Sequence, residues 1–203
     1  MPGQIYVISG PSGAGKSSVI GLLRESVTGL GYSVSHTTRK PRGDEVNGVD
    51  YHFVDRETFK RMIENEDFVE WAEVYDDFYG TSISSLRSQT ELGLDVIMDV
   101  DVQGAKNMRK HFKESILICI LPPSFEVLEN RLKGRGTDDR KTIRKRIEKA
   151  VKEIENCVWY DYLIFNDDLQ EAVEETKCII VSERCRQSRQ LPKAEKIFGI
   201  VSA

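Results

Sequence analysis

Hydrophobic positions recur along the chain in two rhythms. Runs of strand length occur at Ile5–Ser9, Tyr32–His36, Leu94–Met98, Ile116–Leu121 and Tyr162–Phe165, several of them separated by stretches of helical periodicity. After the first run, Val19, Leu22, Leu23, Val27 and Leu30 return at three- and four-residue steps. That is the spacing of one helix face, and it predicts a helix that Gly31 ends. A second stripe, Ile143, Ile147, Ala150, Val151, Ile154 and Val158, predicts another core-facing helix. Strands alternating with helices predict βα units around a parallel sheet, an α/β fold. Between Ser35 and Thr81 the rhythm breaks into short strands, a helix that Asp55 is placed to cap, and aromatic-rich turns. This stretch reads as an insertion that builds its own lobe. The tail from Arg186 begins polar and ends Ile197-Phe198-Gly199-Ile200-Val201, with no legible role.

Composition narrows the functional classes. A length of 203 residues fits one domain with room for an insertion. The chain carries 29 basic and 33 acidic residues, a formal charge of −4, whereas a general nucleic-acid binder is basic. The longest apolar run, Ile116–Leu121, falls far short of the ~20 residues of a membrane helix. The opening Gln4-Ile5-Tyr6-Val7 lacks the basic-then-apolar pattern of a secretory leader. The expectation is a cytoplasmic protein with neither nucleic acid nor membrane as partner, and the pattern does not separate a monomer from a homodimer. Cys119, Cys157, Cys178 and Cys185 have no CxxC spacing and read as reduced thiols. His36, His52 and His111 stand apart without zinc-site spacing.

The chemistry begins at Gly10-Pro11-Ser12-Gly13-Ala14-Gly15-Lys16-Ser17, a GxxxxGK[ST] phosphate loop between a strand and an amphipathic helix. Glycines let consecutive N–H groups converge on a phosphate, and the helix N-terminus adds partial positive charge. Lys16 would reach the β- and γ-phosphates and the Ser17 hydroxyl would ligate Mg²⁺. Asp99 and Asp101 follow the run Asp95-Val96-Ile97-Met98, at the carboxyl end of a strand where α/β sheets bind ligands. An Asp there can hold Mg²⁺ directly or through water. From Arg131 to Lys149 nine basic residues stand against Asp138, Asp139 and Glu148, a local balance of +6. Gly134 and Gly136 flank Arg135, which reads as an arginine on a lid that delivers charge to a transferring phosphoryl group.

The insertion supplies acceptor chemistry. It opens Ser35-His36-Thr37-Thr38-Arg39-Lys40-Pro41-Arg42 and continues to Gly48-Val49-Asp50-Tyr51-His52-Phe53. Arginine forks and tyrosine hydroxyls suit a phosphate monoester. Phe68, Glu70 and Ala72 would share one face of a strand, putting a carboxylate on an apolar side. Such a carboxylate can accept both donors of the guanine N1–H and N2–H₂ edge, or it is an exposed acid on a frayed strand.

At this point the segments GPSGAGKSS, SHTTRKPRxxExxGxDYHFV, FVEWAEVYxxFYGTS, VIMDVDVQGA, RLKGRGTD and YDYLIFNDD, in this order, resemble guanylate kinase, over about Gly3 to Arg186. The resemblance implies an ATP:GMP phosphotransferase with the three-layer fold of P-loop proteins. Its parallel-sheet core would be 1–34, 85–123 and 147–186, its mixed α+β GMP-binding lobe 35–84, and its helical lid 124–146, with a tail at 187–203. By matching segment, residues 10–17 with Ser18 would hold ATP. Arg135 and Asn166 would flank adenine. Ser35, Arg39, Arg42, Tyr51 and Tyr79 would hold the GMP phosphate, and Glu70, Thr81 and Asp101 would read guanine. Arg39, Arg135 and Arg146 would converge with Lys16 on the phosphoryl group, and Ser17 and Asp99 would serve Mg²⁺. Thr81 stands where the family also uses serine, which keeps the hydroxyl. A rival is the catalytically inactive, phosphopeptide-binding scaffold domain of similar fold, but those domains lack the intact phosphate loop present here. A GTPase switch would carry an NKxD-type guanine motif, which this chain does not have.

Overall fold

The computed structural model describes residues 2–74, 76–134 and 140–199. The chain runs β1 (Ile5–Ser9), α1 (Lys16–Ser26), β2 (Leu30–Tyr32), β3 (His36–Thr37), β4 (His52–Phe53), α2 (Arg56–Glu64), β5 (Phe68–Val74) and β6 (Asp77–Ser82). It continues through α3 (Ile83–Glu91), β7 (Asp95–Asp99), α4 (Val102–His111), β8 (Ile116–Leu121), α5 (Phe125–Lys133), α6 (Arg140–Glu155), β9 (Tyr162–Phe165), α7 (Leu169–Arg184) and α8 (Gln187–Phe198). Five strands form a parallel sheet in the order β2-β7-β1-β8-β9. Strand side chains alternate between faces, and both faces of this sheet are covered. Tyr6 and Ile8 of β1 pack with Val19, Leu23, Val173 and Ile180 of α1 and α7. Ile5 and Val7 pack with Leu86, Ala105 and Met108 of α3 and α4. This is the three-layer α/β architecture expected, and burial on both faces is why β1 and β8 read as unbroken apolar runs.

Three details depart from the periodicity, the first being the run Tyr32–His36, which is no single strand: Tyr32 ends β2 in the parallel sheet and His36 begins β3 in another. Helix α1 stops at Ser26, with Val27 already extended and Gly29 left-handed (φ 75°). Leu30 therefore belongs to β2, where Leu30–Tyr32 pair with Asp95–Ile97. Gly29 makes the turn, and Gly31 is a strand residue. The second stripe also ends early: α6 closes at Glu155 and a 3-10 turn, Asn156–Trp159, leaves Val158 84% exposed. The expected lid boundary at residue 146 lies inside this continuous helix, and the tail folds as α8.

The insertion forms a second, mixed sheet in the order β4-β3-β6-β5. Asp55 caps α2 by accepting the Thr58 N–H, as expected. Phe59 of α2 stacks between Phe68 and Phe78, at centroid distances of 4.4 and 5.4 Å. Strand register also joins two histidines that stand apart in sequence: His36 pairs with His52, the rings lie 4.6 Å apart, and burial with that neighbour pushes the His36 pKa down to about 4. Among the described residues no helix is long and apolar enough to cross a membrane.

Candidate active site

The phosphate loop leaves β1 at the carboxyl edge of the sheet. Gly10 has φ 132°, and a Cβ there would collide with the Ile120 carbonyl. At Gly15, with φ 92°, a Cβ would collide with the Asn166 amide. Only glycine meets both conditions. Helices α2, α3, α4, α5 and α7 each begin with a side chain that accepts a backbone N–H, from Asp55, Ser82, Asp101, Ser124 and Asp168 respectively. Helix α1 has Gly15 at that position and no side-chain cap. Apart from the Ser18 N–H, which donates to the Gly15 carbonyl at 3.1 Å, its first-turn donors and partial positive charge are thus left for an anion. Lys16 folds back over the loop, donating to the carbonyls of Gly10 (2.7 Å) and Pro11 (3.3 Å). Asn166, buried at the end of β9, donates from Nδ2 to the Ala14 carbonyl at 2.7 Å and so braces the loop.

A 450 Å³ cavity opens over this loop. Gly10, Ser12, Gly13, Gly15, Lys16, Ser17 and Ser18 line one side, and Glu70, Asp99 and Asp101 line the other. Asp99 ends β7 opposite Ile8, beside the loop. Burial raises its carboxyl above the usual range, and the nearby Lys16 charge partly offsets this. One hydroxyl and one carboxylate, Ser17 and Asp99, make a sparse oxygen donor set of the sort Mg²⁺ accepts while keeping several waters.

Glu70 reaches the cavity through an irregularity in β5. Phe68 pairs with Ser82, but Glu70 pairs with Thr81, so two steps on β5 match one on β6. Such a bulge moves the following residues to the other face. The expected shared face of Phe68, Glu70 and Ala72 is thereby split: Phe68 joins the phenyl stack, while Glu70 lies with Thr81 and Ala72 with Tyr79 on the opposite side. There Thr81 Oγ1 donates to Glu70 Oε1 at 2.9 Å, and Ser35 Oγ lies 3.1 Å from Thr81 Oγ1. Burial raises the Glu70 carboxyl above its ordinary value; the Thr81 hydrogen bond opposes this and the Asp101 charge adds to it. Asp101 caps α4, Oδ1 accepting from Gln103 and Gly104, both at 3.0 Å.

Arg39 lies in a second cluster. Its guanidinium carbon is 5.4 Å from the Tyr51 ring centroid and 5.9 Å from that of Phe53. Its fork is held by Glu45 through two 2.9 Å hydrogen bonds, which with a Tyr79 contact raise its pKa. Arg42 has an exposed side chain, and its backbone N–H donates to the same Glu45. Arg146 is half-buried on α6, and Arg135 lies outside the described residues.

Sequence reasoning assigned no role to four groups that the structure brings to this site. Glu45 orients Arg39, and its signal was the Glu inside the RKPRxxE segment. Arg131 donates from Nη2 to the Asn166 carbonyl at 2.9 Å, and its Nη1 is buried with no hydrogen-bond partner among the described residues. A buried donor of that kind is ready for a ligand oxygen. Lys149 and Glu153 of α6 line the cavity beside the loop.

Comparison with known proteins agrees with this geometry. The family model described as guanylate kinase matches residues 3–183. The chain is 45% identical over 198 residues to the guanylate kinase of Geobacter sulfurreducens, covering 98% of each chain. It is 46% identical to that of Syntrophotalea carbinolica, covering 98% of this chain and 94% of the relative. A crystal structure of guanylate kinase from Anaplasma phagocytophilum superposes with a TM-score of 0.71 at 33% identity, over 99% of this chain and 98% of the other. Sequence, fold and relatives, aligned almost end to end, lead to one assignment: the chain belongs to the guanylate kinase family.

Proposed function

We propose that the protein transfers the γ-phosphoryl group of ATP to GMP, giving ADP and GDP, as a cytoplasmic enzyme of purine nucleotide metabolism. The observation that carries this reading is that one cavity joins an uncapped phosphate loop to a threonine-braced carboxylate. In this reading residues 10–18 hold the ATP phosphates, through Lys16 and the backbone N–H groups of the loop other than Pro11, which has none, and Asn166 with Arg135 flanks the adenine. Ser35, Arg39, Arg42, Tyr51 and Tyr79 hold the GMP phosphate. Glu70 and Asp101 accept the N–H donors of guanine, with Thr81 contributing its hydroxyl. Mg²⁺, held by Ser17 and through Asp99, would neutralise charge on the β- and γ-phosphates.

The acceptor oxygen of GMP already bears charge, so no general base is required. The residues' task is alignment in line with the γ-phosphorus and neutralisation of the charge spread over its oxygens, from Lys16, Arg39, Arg135 and Arg146. Excluding water from the cavity keeps the phosphoryl group for GMP. The test is transfer of label from [γ-³²P]ATP. Label should appear in the β-position of GDP with the wild type, and Lys16→Ala should stay folded without measurable transfer. Label found only in inorganic phosphate would contradict the reading.

A further inference from the structure

The cavity contains a second ammonium that the reading above leaves unused. Lys149 of α6 lines it beside the phosphate loop, 3.4 Å from Glu153 Oε1 one turn along and 4.0 Å from Asp101 Oδ2. The two ends of this contact differ in freedom: the Glu153 side chain is 11% exposed and fixed, while that of Lys149 is 66% exposed on a flexible stem. Asp101 Oδ1 is committed to the α4 cap, so Oδ2 is the oxygen left for either Lys149 or a ligand. The surrounding wall is acidic, formed by Glu70, Asp99, Asp101 and Glu153, and an ammonium resting there lowers their mutual repulsion. A guanine N–H that takes Asp101 Oδ2 shields the more distant of the two carboxylates that hold Lys149, and leaves the Glu153 contact as a pivot. The ammonium can then swing about Glu153 toward the phosphates that Lys16 and Ser17 would hold in the same cavity.

We propose that Lys149 is an acceptor-gated cation, held between Asp101 and Glu153 while the acceptor pocket is empty and released to the transferring phosphoryl group when guanine engages Asp101. This rests on the reading of Asp101 as a guanine contact. It gives the enzyme a physical reason not to spend ATP on water, because one of its cations arrives only with the acceptor.

The test compares wild type, Lys149→Met, Lys149→Arg, Asp101→Asn and the Asp101→Asn/Lys149→Met double variant, each checked for a wild-type-like circular dichroism spectrum. Asparagine keeps an oxygen for the α4 cap, so Asp101→Asn is expected to fold. Steady-state kcat, both KM values and ATP hydrolysis without GMP are measured. Lys149→Met is expected to lower kcat with GMP by roughly tenfold or more, to leave KM for ATP within about twofold, and to be largely rescued in Lys149→Arg. Asp101→Asn is expected to raise KM for GMP and to increase GMP-independent ATP hydrolysis several-fold, an increase absent from the double variant. An unchanged KM for GMP in Asp101→Asn overturns the guanine reading. A raised KM with hydrolysis at the wild-type level, or a wild-type kcat in Lys149→Met, overturns the gate alone.

Discussion

Glu70 shows how one carboxylate is tuned by its place. Burial and the Asp101 charge make its ionised form costly, and the Thr81 hydroxyl recovers part of that cost. The sign follows directly: a carboxyl whose folded pKa is raised binds its proton more tightly when folded, so its ionised form lowers the stability of the empty protein. Glu70→Gln should therefore raise the melting temperature slightly while raising KM for GMP by roughly 10- to 100-fold, because one charged acceptor for two donors is lost; KM for ATP should stay near its wild-type value. A calorimetric scan beside steady-state kinetics reads both. In the wild type, KM for GMP should climb on acidification before an ordinary glutamate titrates, and Glu70→Gln should flatten that part of the profile. A parallel profile in the variant would remove Glu70 from guanine recognition. The residue types at this site were legible in sequence because the phosphate loop and the arginine-rich segment are local patterns. The contact of Lys149 with Asp101 and Glu153 was not, since α6 and α4 meet only in the folded chain.

At the scale of elements, the inserted lobe depends on a small core of its own. Phe59 is fully buried between Phe68 and Phe78, and it fixes α2 against the same strands whose other face carries Glu70, Thr81 and Tyr79. Phe59→Ala removes the middle ring, at a cost of roughly 3–5 kcal/mol. We expect hydrogen exchange to quicken in β5 and β6 and KM for GMP to rise, while β1 and α1 keep their protection and ATP still binds. Uniform loss of protection across both sheets would show that the lobe has no separate core. The bulge at Phe68–Glu70 marks what periodicity cannot supply. Alternation puts Phe68 and Glu70 on one face, and only pairing with β6 reveals the extra residue that separates them. Leu30 and Val158 fell to the same limit, as apolar residues that continue a helical stripe past the point where Gly29 or a 3-10 turn had ended the helix.

The whole molecule divides its labour between the two edges of the parallel sheet. The phosphate loop and Asp99 lie at the carboxyl edge, while the opposite edge is held by Asp95, whose 5%-exposed side chain accepts from Gln4 N, Arg184 Nε and Arg189 Nη2. This cluster ties β7, α7, α8 and the N-terminal segment together, and it gives the tail an anchor that its sequence did not announce. Breaking a buried pair from one side costs about 3–5 kcal/mol, so Asp95→Ala should lower the melting temperature markedly while the folded fraction keeps its kcat. Charge is divided in the same manner. The formal −4 combines the basic segment Arg131 to Lys149, at +6, with a more acidic remainder.

The central claim is that the carboxylates of Glu70 and Asp101 choose the acceptor for the phosphate loop. It is tested most directly by the rate of ADP formation from ATP and Mg²⁺ with GMP, AMP, UMP or water as the only acceptor. Activity confined to GMP is the result expected, and comparable rates with AMP, or no rate above the water control with any nucleotide, would contradict it.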